Sequence, residues 1–469
     1  MNVLGTFGKV TFDDPRGVVK TAIDQSEMQP FIREVFCLSL LNRLQGCDHV
    51  INMVDFDIPT RKIVLEAGCC TLAYYCNRQL REDADWGFGL QARRLLWQLL
   101  RGMQNVNTAG VYHRDLKPDN IVMTSNDELK IIDFGLARTG IYSSVTASTN
   151  VYTLWWRAPE LLVADLLEID SSFYDGTATE IYSVGTTYLC MLLGYDHGVL
   201  QRSSEEKQLS EILRAHGGMS ALNTDMFDSH PHWRRIVAKK VRMHAYNDDQ
   251  TLQSRLLHLN PQLPLDCLEI LMGMLNPDHQ QRWSYQKLCS HAFFDSVRLH
   301  GTPVAVTGPP SKLVTQLQRG AYESMIKKVC RSADKEDMST CAKIFMLSLF
   351  HMSLEVGNAD QHLSCVSYAC LFIANIMYSF QPISLSDLFE QYGFSIPDLE
   401  REIDQVLRCV KRYPYSIDSA CQLFKPSQDR DALLNCYYNK LKKGWFYCYT
   451  TTQITQEVLH PQHTVEPRF

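Results

Sequence analysis

The chain has 469 residues, a net charge of -6 and a pI near 6.2, with 45% hydrophobic and 21% charged residues. That balance excludes a disordered chain, and an acidic total without blocks of like charge excludes the basic footprint of a nucleic-acid binder. Sixteen cysteines with no C-x-x-C pair exclude zinc-ribbon and thioredoxin-type chemistry and predict free thiols in a reducing compartment.

The first predicted element opens the chain. In MNVLGTFGKV, Gly5, Gly8 and Val10 hold three positions of the phosphate-covering pattern G-x-G-x-x-G-x-V, and Val3 stands at its first glycine. Little chain precedes this loop, so its first strand is expected to be frayed unless the true start lies upstream. TFGKVTF and GVVK are β-branched runs around the turn DDPRG. PFIREVFCLSLLNRL carries apolar residues at helical spacing, and KIVLEAG reads as a further strand. From Leu90 onward LQARRLLWQLLRGMQNV begins a series of long helices. The fold class is therefore α+β, a strand-rich lobe followed by a helical one. SVGTTYLCMLLGY and SYACLFIANIMYSF are too short and interrupted to span a bilayer, and no signal peptide is visible. An intracellular soluble protein is expected, nuclear or cytoplasmic, with neither membrane nor nucleic acid among its partners.

Residues 111–138, VYHRDLKPDNIVMTSNDELKIIDFGLAR, carry H-R-D-L-K-P-D-N and D-F-G, and W-R-A-P-E follows at 156–160. This ordered set resembles the core of eukaryotic-type Ser/Thr protein kinases. The resemblance implies a bilobal fold over residues 1–296, with a small β-rich N-lobe to about 67 and a helical C-lobe from about 68. Phosphoryl transfer needs positioning and charge neutralisation more than covalent chemistry. On that basis Asp115 accepts the proton of the attacking hydroxyl, and Lys117 steadies the transferring group. Asn120 and Asp133 offer oxygens to Mg²⁺, a hard cation that binds through few protein groups plus phosphates. Lys20 holds the α- and β-phosphates of ATP, with Glu34 as its ion-pair partner. Val3, Gly5, Gly8, Val10, Lys20, Leu65 and Glu66 form the implied ATP site. Arg282 is expected to pair with Glu160.

The resemblance narrows to the cyclin-dependent kinases. F-I-R-E at 31–34 is similar to their signature helix, with Ile32, Arg33 and Glu34 in register, and V-Y-T-L-W-W-R-A-P-E to their activation segment. In that group a phosphorylated activation-loop residue engages three arginines. Here these positions are Ser148 with Arg33, Arg114 and Arg138, and phosphate on an arginine cluster makes strong charge-assisted bonds. The chain also departs from the pattern. Glu180 replaces an aspartate that braces the catalytic loop. Tyr152 replaces a small residue that accepts proline after the target, which disfavours proline-directed specificity.

HGTPVAVTGPPSKL reads as part of a linker, assigned to 297–324. Beyond it, SYACLFIANIMYSF, SLSDLFEQYG and IPDLEREIDQVLRCVKRY carry helical apolar faces. Residues 325–430 resemble an all-α cyclin-like domain, followed by a tail at 431–469. Ile376 falls where that family has a lysine gripping the kinase helix, and Glu402 or Ile403 where it has a glutamate, so a more apolar docking is expected. The expectation is an active kinase acting on protein substrates, activated by this domain in cis or by a separate cyclin, with ATP and Mg²⁺. The alternative is a non-catalytic pseudokinase, a decoy or scaffold for cell-cycle kinase or cyclin partners.

Overall fold

Five antiparallel strands form the first lobe: β1 (Asn2–Gly5), β2 (Gly8–Asp14), β3 (Gly17–Thr21), β4 (Met53–Asp57) and β5 (Lys62–Leu65), in the sheet order β1-β2-β3-β5-β4. The computed structural model describes residues 2–5, 8–22, 28–44, 47–139, 152–168, 175–222, 227, 232–241, 251–297, 330–333, 338, 342–343, 345–347, 349–350, 363–378, 385–392, 394–410 and 438. The leading strand forms, contrary to the expected fraying: Val3 pairs with Val10 and Gly5 with Gly8. A hairpin with β2 supplies the backbone bonds that a lone terminal strand would lack. The DDPRG turn closes on Asp14, whose carboxylate accepts from the Arg16 backbone N–H at 2.8 Å, the local bond that makes aspartate a turn former.

Between β3 and β4 lies helix α1 (Met28–Leu41). Ile32, Val35, Phe36, Cys37 and Leu38 are fully buried and lie on more than one face of it. A helix hydrophobic all round needs partners all round. One side meets the turn at Phe134–Leu136, and the other is covered by helices from the end of the chain.

The second lobe is helical: α2 (Leu72–Glu82), α3 (Leu90–Thr108), α4 (Pro159–Leu167), α5 (Gly176–Leu193), α6 (Glu205–Ala215), α7 (Trp233–Val241), α8 (Leu252–Leu259), α9 (Leu265–Met274) and α10 (Tyr285–Ser290). Short strands punctuate it: β6 (Cys70–Thr71), β8 (Ile121–Met123) and β9 (Leu129–Ile131) form one sheet, and β7 (Val111–Tyr112) pairs with β10 (Arg138–Thr139). These small sheets hold the segments that carry the polar motifs. Helix α5 is buried almost throughout and starts at Asp175, whose side chain accepts from Ala178 N–H. The α+β, two-lobed architecture is the one expected.

Past the second lobe are α11 (Leu363–Tyr378), α12 (Leu385–Tyr392) and α13 (Ile396–Cys409). Both α11 and α13 touch α1, and α11 also touches β10. Phe345 meets Phe36 of α1 edge-on, ring centroids 5.3 Å apart. No helix among the described residues is long and apolar enough to cross a membrane.

Candidate active site

Lys20 sits on β3, opposite Val10 on one side and Ile63 on the other. Its Nζ lies 2.6 Å from Glu34 Oε2 and 2.9 Å from Asp133 Oδ1. One ammonium thus faces two carboxylates from distant parts of the chain. Burial alone would lower the Lys20 ammonium, but Glu34 and Asp133 together hold it raised and charged. Burial raises Glu34, whereas Lys20 outweighs burial at Asp133 and holds that carboxylate low.

Asp133 has a left-handed backbone, φ 66 and ψ 71, just before the turn of Phe134–Leu136. A non-glycine residue there costs roughly 1 kcal/mol and persists only where its surroundings enforce it. The enforcement is visible. Phe134 is fully buried against the ring of His113, 4.9 Å away, and His113 Nε2 bonds the Ile132 carbonyl at 2.8 Å.

Asp115 is held from three directions. The Thr153 hydroxyl donates to its Oδ1 at 2.6 Å and the Thr153 backbone N–H at 3.2 Å. Lys117 Nζ donates to its Oδ2 at 2.7 Å and to Thr153 Oγ1 at 2.9 Å. Asn120 spends its amide N–H groups on the Asp115 carbonyl and Oδ2, at 2.8 and 3.0 Å. With that nitrogen committed, the remaining polar atom of the Asn120 side chain is its oxygen, the donor type a hard cation takes. Thr153 does not stand out in the sequence. Its one signal is its place in YTLWWRAPE, but only the fold brings that segment against H-R-D.

The loop carrying Asp115 is braced from below. Glu180 Oε1 accepts from Arg114 N–H at 2.8 Å, and Oε2 accepts from Asn107 Nδ2 at 2.6 Å. Arg114 itself is left-handed, φ 67, so the brace holds a strained residue next to Asp115. Burial pushes the Glu180 carboxyl from its ordinary 4.5 up to about 7, against the pull of Asn107 and the loop N–H groups. A raised folded pKa means that the folded chain keeps this proton longer than the unfolded chain. Its stabilising contribution is complete below about 4.5 and is lost as pH climbs through about 7. Catalytic bracing runs the other way, because two N–H donors are best met by a carboxylate. Unfolding followed against pH from 4.5 to 7 should therefore lose this falling component in Glu180→Gln. An unchanged slope in that variant would rule the assignment out.

Arg33, Arg114 and Arg138 converge and are all buried. Burial, with Arg114 close by, lowers the Arg33 guanidinium to about 10. Arg33 Nε and Arg138 Nη1 both donate to the carbonyl of Ile376 in α11, at 3.3 and 2.5 Å. The position expected to hold a gripping lysine thus contributes a backbone acceptor instead. Glu402 and Ile403 are both buried on α13. Ser148 lies outside the described residues.

Of the implied ATP site, Val3 and Gly5 lie on β1, Gly8 and Val10 on β2, and Leu65 is buried at the end of β5. The Glu66 side chain is spent on Asn52 N–H at 2.9 Å and Lys130 Nζ at 3.0 Å, and its backbone N–H donates to the Asn52 carbonyl at 2.9 Å. Tyr152 does not line an open notch. Its ring is buried with Leu161, and its carbonyl accepts from Arg157 Nε and Nη2 at 3.2 and 2.9 Å. Glu160 and Arg282 pair as expected, by two bonds of 2.8 and 3.0 Å.

The chain matches the family model described as protein kinase domain over residues 17–294. It is 27% identical to mitogen-activated protein kinase 13 of Homo sapiens over 302 residues, 63% of this chain and 76% of that one. It is 30% identical to cyclin-dependent kinase 17 of Caenorhabditis elegans over 282 residues, 59% of this chain and 38% of that one. Against mitogen-activated protein kinase 4 of Oryza sativa subsp. japonica it is 32% identical over 198 residues, 42% of this chain and 49% of that one.

Proposed function

We propose, from the premise that this chain belongs to the protein kinase family and is a serine/threonine protein kinase, that it is of the cyclin-dependent type and is activated in cis by its own C-terminal helices. The observation that carries this reading is the covered outer face of α1: Phe345 packs on Phe36, and the Ile376 carbonyl takes both Arg33 and Arg138. A helix held on that face keeps Glu34 against Lys20, the pair at 2.6 Å. Tethering raises the effective concentration of an activator to about the millimolar range, so modest docking is enough.

Chemically, Asp115 orients the target hydroxyl and takes its proton as that oxygen bonds to the γ-phosphorus. The bond from that phosphorus to the ADP oxygen breaks, and its electron pair leaves with ADP. Lys20 offsets charge on the α- and β-phosphates, and Lys117 offsets charge on the moving phosphoryl group. Asn120 and Asp133 would hold Mg²⁺ by their oxygens; MgATP supplies the phosphoryl group and, through the cation, neutralises its developing charge. The three clustered arginines suit a phosphate on Ser148 as a second activating signal.

Phe345→Asp in the full chain tests activation in cis without altering the kinase lobes. A carboxylate at a fully buried aromatic contact costs several kcal/mol, more than a docked helix contact returns. Phosphate transfer should then fall by more than about ten-fold, with a folded core by thermal melting. Undiminished transfer in this variant would sink the reading.

A further inference from the structure

We propose that Arg43 and Arg408 are positioning residues that latch the end of α13 onto the end of α1 and the outer strand β4, and so hold Glu34 against Lys20. The proposal rests on the reading of the C-terminal helices as an activator in cis.

The two arginines point in opposite directions across one junction. Arg43, just past α1, donates to the carbonyls of Val410 and Arg408, the latter at 2.8 Å. These are among the last carbonyls of α13, the orphan acceptors at the negative end of a helix, and a guanidinium satisfies them in both hydrogen bonding and charge. Arg408 returns the contact. Its Nη2 donates to the Phe56 carbonyl at 2.9 Å and its Nη1 to Asp55 at 3.3 Å, and the guanidinium stacks 4.3 Å above the Phe56 ring. Asp404, one turn back on α13, bonds Arg408 Nε at 2.8 Å and presets the fork. Arg16 reaches the other oxygen of Asp55 at 3.3 Å, and this ties in the turn between β2 and β3.

The junction leads to the reacting groups by short routes. Asn42, beside Arg43, donates to the Ile51 carbonyl and accepts from Met53 N–H, at 2.9 and 2.7 Å, and so ties the end of α1 to the start of β4. β4 pairs with β5, and β5 places Ile63 opposite Lys20. On the other side, the buried helix α1 alone connects Arg43 to Glu34, so a shift at its end is carried to that carboxylate. One clamp therefore sets both halves of the Lys20–Glu34 pair. The ion pair with Asp55 is exposed and by itself weak. The bonds to carbonyls fix direction as well as distance, and they give the latch its geometry.

The test uses the full chain with Arg43→Met, Arg408→Met, both together, and Arg408→Lys. Michaelis kinetics against ATP, amide exchange over 28–41 and melting temperature are measured for each. The double variant should lose about ten-fold in kcat/KM for ATP and exchange faster along α1. Because both arginines serve one junction, the double variant should be little worse than the worse single one. Arg408→Lys keeps the charge without the fork and should fall between wild type and Arg408→Met. A lowered melting temperature with unchanged kinetics would make these merely structural contacts and overturn the proposal. So would losses that simply multiply. If Phe345→Asp is inactive while the double variant is fully active, the latch fails and activation in cis stands. If both are fully active, that reading fails as well.

Discussion

Asp115→Asn is expected to lower phosphate transfer by about a hundred-fold to ten-thousand-fold, the range for removing a positioned general base. The substitution changes almost no volume, but it removes the proposed acceptor of the proton. It also upsets the local bonding. Oδ2 of Asp115 accepts from Lys117 and Asn120, both donors, and Oδ1 accepts twice from Thr153. An amide has one acceptor oxygen, so one of these pairs must face an N–H group. Lys117 or Thr153 would then shift. The measurement is kcat with ATP and a generic Ser/Thr substrate, alongside melting to show that the fold is retained. Activity within ten-fold of wild type would remove Asp115 from the role of base.

Arg282→Met is expected to cost about 3 to 5 kcal/mol of stability, the penalty for stripping the partner from a buried charge. Glu160 is buried inside the second lobe, and burial alone would raise its carboxyl. Arg282 outweighs that and holds it low. The same arginine also donates to the carbonyls of Ala178 and Asn276, at 2.7 and 3.0 Å, so several acceptors are orphaned at once. The sign with pH follows from the lowered pKa. The pair stabilises the wild type above the ordinary carboxylate range, and that contribution fades as acid protonates Glu160. The deficit of Arg282→Met should therefore be full at neutral pH and shrink only as pH falls below the ordinary carboxylate value of 4.5. Urea unfolding at several pH values would detect it. A uniform deficit would point to lost packing rather than to an unpaired charge.

The groups proposed to do the chemistry are legible because phosphoryl transfer restricts residue type and order. Lys20, Glu34 and Asp133 are picked out by motif order and do meet in space, as do Asp115 and Asn120. Thr153 and Asn107 are not legible. A threonine and an asparagine are common, and their roles arise only when the fold brings YTLWWRAPE to Asp115 and the end of α3 to Glu180. The strand at Asn2–Gly5 is underestimated when a terminal run is read alone, without the hairpin that pairs it. Reading Ile376 by its side chain gives an apolar expectation for docking. The apolar part is there in Phe36 and Phe345, but the polar part is carried by backbone carbonyls, and any residue type supplies those.

The covered face of α1 also bears on synthesis. Arg33 and its acceptor are 343 residues apart in the chain. At about 5 to 20 residues per second, the ribosome needs roughly 20 to 70 s to make what lies between them. For that interval the nascent first lobe carries an uncovered apolar helix, a natural target for chaperones. On the proposed activation in cis, the chain emerges silent and becomes competent only once helices α11 and α13 have left the exit tunnel.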